Sequence, residues 1–206
     1  MLEYLTNQRK IDAEVLNDAD IGCVWRINNG TKEYWLTIPL KDPDGTITNI
    51  RFRSVPPAKK AYRVCTGRPM PLYGADTLSQ DRSKFVIITE GELDVLALRS
   101  YGYTDIVVSG TTGASSNWPD EWLDVLEPYK GFFVWYDNDD AGRNGAGKLA
   151  EALGKYRCFK VNYKDHNDVA EALQCDVEQD VIQEAFNATS RFIETELKTV
   201  DEYNQQ

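Results

Sequence analysis

The chain is expected to fold as an α+β N-terminal subdomain, a helix plus an antiparallel β-meander, followed by an α/β subdomain with a mostly parallel sheet. Two patterns point to this. Residues 24–52 hold three β-branched and aromatic runs separated by the hairpin chemistry of Asn29-Gly30 and Asp42-Pro43-Asp44-Gly45. From Lys84 onward, four short and nearly continuous apolar runs alternate with helical patterns, as parallel strands covered on both faces require. Length and composition agree: 206 residues, 42% apolar and 27% charged, suffice for one globular unit or two tightly joined subdomains and exclude disorder as the main state.

The elements follow in order. Apolar residues at 5, 11, 15 and 16 mark a short opening helix or helix pair, with Asp12 placed to cap its second part. Residues 24–28, 34–40 and 47–52 are the meander strands. Little regular structure is expected from the basic segment to about Arg82. Strands are then expected at 85–89, 106–109, 132–136 and 158–162, with helices at 92–101, 117–126 and 141–153 between them. One further amphipathic stretch, 169–186, closes the unit, and the polar 199–206 is a frayed end or linker. The domain boundaries are accordingly drawn at 1–83, 84–190 and a tail of 191–206.

No apolar run reaches the roughly 18 to 20 residues of a bilayer span, and the N-terminus lacks a secretory signal. A soluble, cytoplasmic protein is expected. Cys23, Cys65, Cys158 and Cys175 form no CxxC pair, and His166 is the single histidine, so no structural zinc is expected on this chain. Buried, reduced thiols are favoured over disulfides, and the sequons at Asn29 and Asn187 then carry no meaning.

A net charge of −10 argues against a protein that coats nucleic acid by bulk attraction. The charge is separated, however. Arg51, Arg53, Lys59, Lys60, Arg63 and Arg68 follow one another with no acid between them. Interleaved Pro56, Pro57, Tyr62 and Gly67 suit either a solvated basic face or an irregular segment tracking a phosphate chain.

The acids gather elsewhere. Ligands of open α/β sheets sit at the carboxyl ends of strands, and three apolar runs end in carboxylates: Glu90-Gly91-Glu92-Leu93-Asp94, Asp137-Asn138-Asp139-Asp140 and Asp165-His166-Asn167-Asp168. Gly91 is expected to let the backbone turn sharply into the helix, and Asp94 falls in its first turn, as second metal ligand or helix-start acid. Asp137 and Asp139 are two apart in an extended end and can point the same way. Glu92 and Asp140 read as helix-start acids. Crowded carboxylates raise one another's pKa unless hard cations hold them, which makes Mg²⁺ or Mn²⁺, one or two ions, the natural cofactor. Taken singly, each acid is also an ordinary cap or turn former.

Two decoys are dismissed. Asp137 opens like an EF-hand loop, but Ala141 and Lys148 occupy positions that need ligands. Gly142 to Lys148 spells most of a Walker A, but Leu149 replaces the required hydroxyl. Ser109-Gly110-Thr111 reads as a plain turn rather than a phosphate donor, and His166 as a loop residue rather than a catalytic base.

Glu90-Gly91-x-x-Asp94 followed by Asp137-x-Asp139-x-Ala141-Gly142 resembles the Toprim signature of bacterial-type and phage primases, topoisomerases and some nucleases. Tyr4-Leu5 with Arg9-Lys10-Ile11, Lys60-Ala61-Tyr62, Pro71-Leu72-Tyr73-Gly74 and Lys164-Asp165-His166-Asn167-Asp168 are similar to primase-core segments, most closely the primase half of phage primase-helicases. The resemblance implies a Toprim subdomain at 84–190 and a DNA primase making short RNA primers on single-stranded DNA by nucleotidyl transfer. It implies catalytic Glu90, Asp137 and Asp139, holding metal with Asp165 and Asp94 completing the shell. Arg51, Arg53, Lys59, Lys60, Arg63 and Arg68 are then nucleotide- or template-binding, and Tyr62 stacks on a base or simply packs. Implied partners are single-stranded DNA, ribonucleoside triphosphates, a replicative helicase and a separate zinc-binding, template-reading domain. A Toprim nuclease and a non-catalytic replisome-binding module are the competing readings. A topoisomerase needs a tyrosine in a large breakage domain that this chain is too short to hold.

Overall fold

The computed structural model describes residues 2–28, 30–111, 117–163 and 165–192. A π-helical turn (Tyr4–Gln8) and α1 (Ala13–Asp18) open the chain. Asp12 stands at the α1 N-cap position without making a side-chain cap bond. The meander comprises β1 (Gly22–Asn28), β2 (Thr31–Lys41) and β3 (Ile47–Ser54), antiparallel throughout.

A fourth strand extends it. β4 (Tyr62–Val64) pairs with β3 inside the segment expected to be irregular. Tyr62-Arg63-Val64 is a strand-forming triplet whose signal is diluted by the prolines and lysines before it. After β4 the chain crosses to the second sheet, where Tyr73 bridges to Ser109.

The second sheet runs β6-β5-β7-β8-β9, with β5 (Phe85–Thr89), β6 (Val107–Ser109), β7 (Gly131–Trp135) and β8 (Cys158–Lys160) parallel. β9 (Ser190–Arg191) is antiparallel to β8, so the sheet ends where the tail was expected to begin. Residues 193–206 lie outside the described residues.

Helices α2 (Glu92–Ser100), α3 (Asp120–Leu126), α4 (Asp140–Leu153), α5 (Val169–Gln174) and α6 (Gln179–Asn187) cover both faces. The stretch 169–186 is therefore two helices, broken where Asp176 adopts a positive φ of 55°. Strand alternation sorts the core. Ile87, Phe133 and Trp135 pack with α2, α5 and α6, and with Leu36, Ile38 and Leu40 of the first sheet. Val86, Ile88, Phe132 and Val134 pack with Trp122 and Leu126 of α3 and Leu149 and Leu153 of α4. The meander thus docks on the α2 side of the parallel sheet.

Cys158 is buried, whereas Cys23, Cys65 and Cys175 are exposed; all four are unpaired. The expectation of buried thiols holds for one of them. Among the described residues, no helix is long and apolar enough to cross a membrane.

Candidate active site

The chain leaves β5 for β6 on one side and later returns to β7 on the other. The strand order reverses between β5 and β7, so their carboxyl ends open the crevice in which such sheets bind ligands. Glu90 follows β5 and Asp137 follows β7. A cleft of about 170 Å³ lies there, with Glu90, Asp94, Asp137 and Asp168 on one side and Arg9, Arg51, Arg53 and Lys60 on the other.

Local geometry fixes each acid. Asp94 accepts from the Gly91 N–H (3.2 Å) and from the Ala170 N–H (3.3 Å), tying the start of α2 to α5. Gly91 itself is extended (φ −139°). The turn therefore needs no glycine freedom; what matters is that a Cβ there would stand 3.3 Å from the Asp94 carboxylate. Asp139 caps α4 by accepting from the Gly142 N–H at 2.7 Å, and Asp168 caps α5 through the Glu171 N–H at 2.6 Å. Asp137 takes an amide hydrogen bond from Asn167 at 3.3 Å, while Glu90 Oε2 is buried with no hydrogen-bond partner.

This crowding shows in the protonation equilibria. Burial, then the charges of Glu90, Asp168 and Asp139, push Asp137 from 3.8 up to about 7, against the opposing Asn167 amide. Burial raises Glu90, opposed by the Asp137 backbone amide, with Asp139 raising it further and Lys60 lowering it. Asp94 is pushed well up, first by burial and then by Asp168 and Asp137.

The donors are hard carboxylate oxygens and include an orphaned one on Glu90, a chemistry that fits a divalent cation. Among the described residues, no three acidic, histidine or cysteine side chains close on one ion position. The rim is open in the manner of Mg²⁺ sites, which use one or two carboxylates and leave the rest of the shell to water and phosphate.

The cationic side is organised by alternation along β3 and β4. Arg53 pairs with Tyr62, and Arg51 with Val64, so Arg51, Arg53 and Tyr62 share the face turned to the acids. The Arg51 guanidinium lies 4.5 Å from the Tyr62 ring centroid, Lys60 Nζ 5.8 Å and Arg53 5.9 Å. Arg51 also donates to the Thr111 carbonyl. It forms an ion pair with Glu92 at 2.9 Å, in which the side chains are only 14% and 4% exposed. Glu92, expected to be only a helix-start acid, is therefore the buried anchor of Arg51 and joins the two subdomains.

Several sequence candidates lie elsewhere. Arg63 is on the opposite face, 5.2 Å from the Trp35 ring, which Arg26 also covers at 4.4 Å. Lys59, Arg63 and Arg68 do not line the cleft. Asp165 does not line the cleft, whereas Asp168 does. An Asp immediately before a helix, the arrangement Asp139 also has, was the available signal for it. Arg9 reaches the cleft from the opening turn, held by its Nε–H donating to Tyr4 Oη at 2.8 Å; composition and spacing carry no sign of it. Lys164 of the last motif lies outside the described residues.

A Cβ on Gly142 would meet the Asp137 carbonyl oxygen at 2.2 Å. Gly142→Ala is expected to displace the Asp137 turn, destabilising the protein by about 1–3 kcal/mol, as read by thermal unfolding.

Residues 87–173 match the Toprim-like family model. The Aquifex aeolicus primase structure, comprising zinc-binding and RNA polymerase domains, superposes with a TM-score of 0.77 over 99% of this chain and 59% of that one, at 21% identity. The fold is that of a Toprim-containing primase core. The primase fragment of the bacteriophage T7 primase-helicase matches over 86% of this chain and 72% of its own, with a TM-score of 0.67 and 18% identity. An uncharacterized Mycoplasma genitalium protein is 31% identical over 147 residues, 66% of this chain and 65% of that protein. The chain thus spans less than two thirds of the length of both the Mycoplasma and the Aquifex chains. Its Toprim module supplies Glu90, Asp94, Asp137 and Asp168, and the meander supplies Arg51, Arg53, Lys60 and Tyr62.

Proposed function

We propose that this chain is the catalytic core of a DNA-dependent RNA primase, joining ribonucleotides on a single-stranded DNA template by metal-dependent nucleotidyl transfer. The observation that carries the reading is the cleft in which Glu90 and Asp137 from two strand ends, with Asp94 and Asp168 from the starts of two helices, face Arg9, Arg51, Arg53 and Lys60. Primer initiation requires two triphosphates and a template strand beside a site that can bind divalent ions, and this cleft offers a donor set of each sign.

In the proposed reaction the 3′-hydroxyl oxygen of one nucleotide attacks the α-phosphorus of the next. The new O–P bond forms as the bond to pyrophosphate breaks, and the hydroxyl proton passes to a carboxylate. Glu90 suits that role, because its orphaned oxygen is buried and burial raises its proton affinity. Glu90 and Asp137 would hold Mg²⁺ or Mn²⁺, with Asp139, Asp168 and Asp94 supplying surrounding negative charge. Asp165, outside the cleft lining, is given no metal-holding role in this reading. When bound, the metal neutralises charge developing on the phosphate oxygens. Arg53, Lys60 and Arg9 bind triphosphate oxygens by charge-assisted contacts, Arg51 is held for the same purpose by Glu92, and Tyr62 presents a ring to a base. Lys59, Arg63 and Arg68 would serve the template outside the cleft. A replicative helicase and a separate zinc-binding domain are proposed partners, since the T7 protein is a primase-helicase and the Aquifex structure includes zinc-binding and RNA polymerase domains.

The test supplies single-stranded DNA, four ribonucleotides and Mg²⁺ or Mn²⁺ to the chain and sizes the products. New RNA that requires added ribonucleotides is the expected result. Shortened strands formed without nucleotides would instead identify a Toprim nuclease, and the absence of either product would favour a binding module.

A further inference from the structure

The face of the meander that carries Arg51, Arg53 and Tyr62 does not end at the cleft. Leu36 pairs with Arg53, and two residues further along the same face of β2 stands Tyr34, paired with Trp25 of edge strand β1. Lys32 and Ile27 form the next pair on that face. Close to the cleft this face is buried, as Leu36, Ile38 and Leu40 pack on the Toprim side. Beyond Leu36 it emerges uncovered: Trp25 is 57% exposed, Ile27 68% and Tyr34 42%.

Large apolar side chains clustered on an open sheet face mark a contact surface, and the chemistry here selects its occupant. Lys32 Nζ lies 4.3 Å from the Trp25 ring centroid and 5.1 Å from the Tyr34 ring centroid, placing a cation against both aromatic rings. Among the described residues of β1 and β2, no acid shares this part of the face; Glu33 points to the other side, where it pairs with Arg26. Aromatic rings with an adjoining cation, on the same face as an arginine row, form the platform that single-stranded nucleic acid uses: bases stack, phosphates meet the cations.

We infer that Trp25 and Tyr34, with Lys32 beside them, are a stacking platform that carries a single nucleic-acid strand away from the acidic cleft along β1 and β2. The inference rests on the primase reading, in which the cleft holds the strand's other end. The strand then passes the Arg53 and Tyr62 end of the face before reaching Tyr34 and Trp25.

The test measures binding of the full chain to fluorescent oligothymidylates of roughly 4 and roughly 16 nucleotides, the bounds of common single-strand site sizes. Trp25→Ala and Tyr34→Ala are each expected to weaken the long oligomer about tenfold and to leave the short one unchanged. The salt dependence should stay the same in both variants, because stacking releases no counterions. Lys32→Ala should instead reduce the slope of log affinity against log salt by about 0.7. Both aromatic positions are exposed, and melting curves matching the wild type will show that the variants fold. Undiminished affinity of both aromatic variants for the long oligomer overturns the platform while leaving the primase reading standing. Failure of the unaltered chain to bind either oligomer removes both. If the aromatic substitutions abolish a concentration-dependent dimer in sedimentation instead of oligomer binding, the face is an interface between copies and the platform is wrong.

Discussion

Asp137→Asn is expected to lower the proposed metal-dependent nucleotide joining by about 10²–10³-fold and, in the same molecule, to stabilise the metal-free protein at pH 8. The two effects share one cause. The carboxyl is pushed from 3.8 up to about 7 by burial and by Glu90, Asp168 and Asp139. Between those values the folded state holds a proton that the unfolded chain has released. This contribution to stability is therefore complete below 3.8 and is lost as pH rises through about 7. Asn cannot ionise, so the variant escapes that loss. The carboxyl is only half-buried, and allowing for solvent screening the gain at pH 8 is about 1–2 kcal/mol, a rise of roughly 3–6 °C in Tm for a chain of this size. Unfolding in chelator at pH 5 and pH 8 reads it directly. Mg²⁺ should then stabilise the unaltered chain at pH 8 and stabilise the variant much less. Equal stability of both chains at pH 8 without metal would remove the crowded-carboxylate account of the site.

Glu92→Ala is expected to destabilise the fold by about 3 kcal/mol and to raise the KM for nucleotides in the proposed reaction. Removing one partner of a buried ion pair strands the other, and Arg51 cannot shed its charge. Its guanidinium would keep only the Thr111 carbonyl and the Tyr62 ring, with Nε already unpartnered. The reverse change is milder. In Arg51→Ala the abandoned Glu92 can take up a proton, which burial already favours. A double-mutant cycle followed by urea unfolding should therefore show the paired variant to be less destabilised than Glu92→Ala alone. A Glu92→Ala chain within about 0.5 kcal/mol of the original, the range of ordinary surface changes, would mean that the pair does not join the meander to the Toprim module.

Much of the architecture is legible in one dimension, for reasons particular elements show. β5 and β7 are short apolar runs stopped by Glu90 and Asp137. A strand buried on both faces cannot admit a charge, so the first carboxylate marks its end. The helices α2 and α4 begin where those acids predict. The break between α5 and α6 was hidden because apolar spacing runs through it, with Leu173, Val177 and Ile182 all contributing to one core. β4 was hidden because three residues amid prolines and lysines make a weak signal; its pairing with β3 supplies the hydrogen bonds that local preference does not.

Residue types, runs and spacing by themselves determined that a meander precedes a parallel sheet, that carboxylates stand at the ends of its strands, and that cations are segregated ahead of them. These are consequences of hydrophobic periodicity and of the cost of burying charge, both local properties of the chain. Only the tertiary structure decided which members of each group meet: Asp168 rather than Asp165, Tyr62 but not its neighbour Arg63, and Arg9 from the far N-terminus. That choice depends on helix direction, strand parity and the docking of one sheet on α2, through contacts between residues far apart in the chain, which no short window of sequence contains.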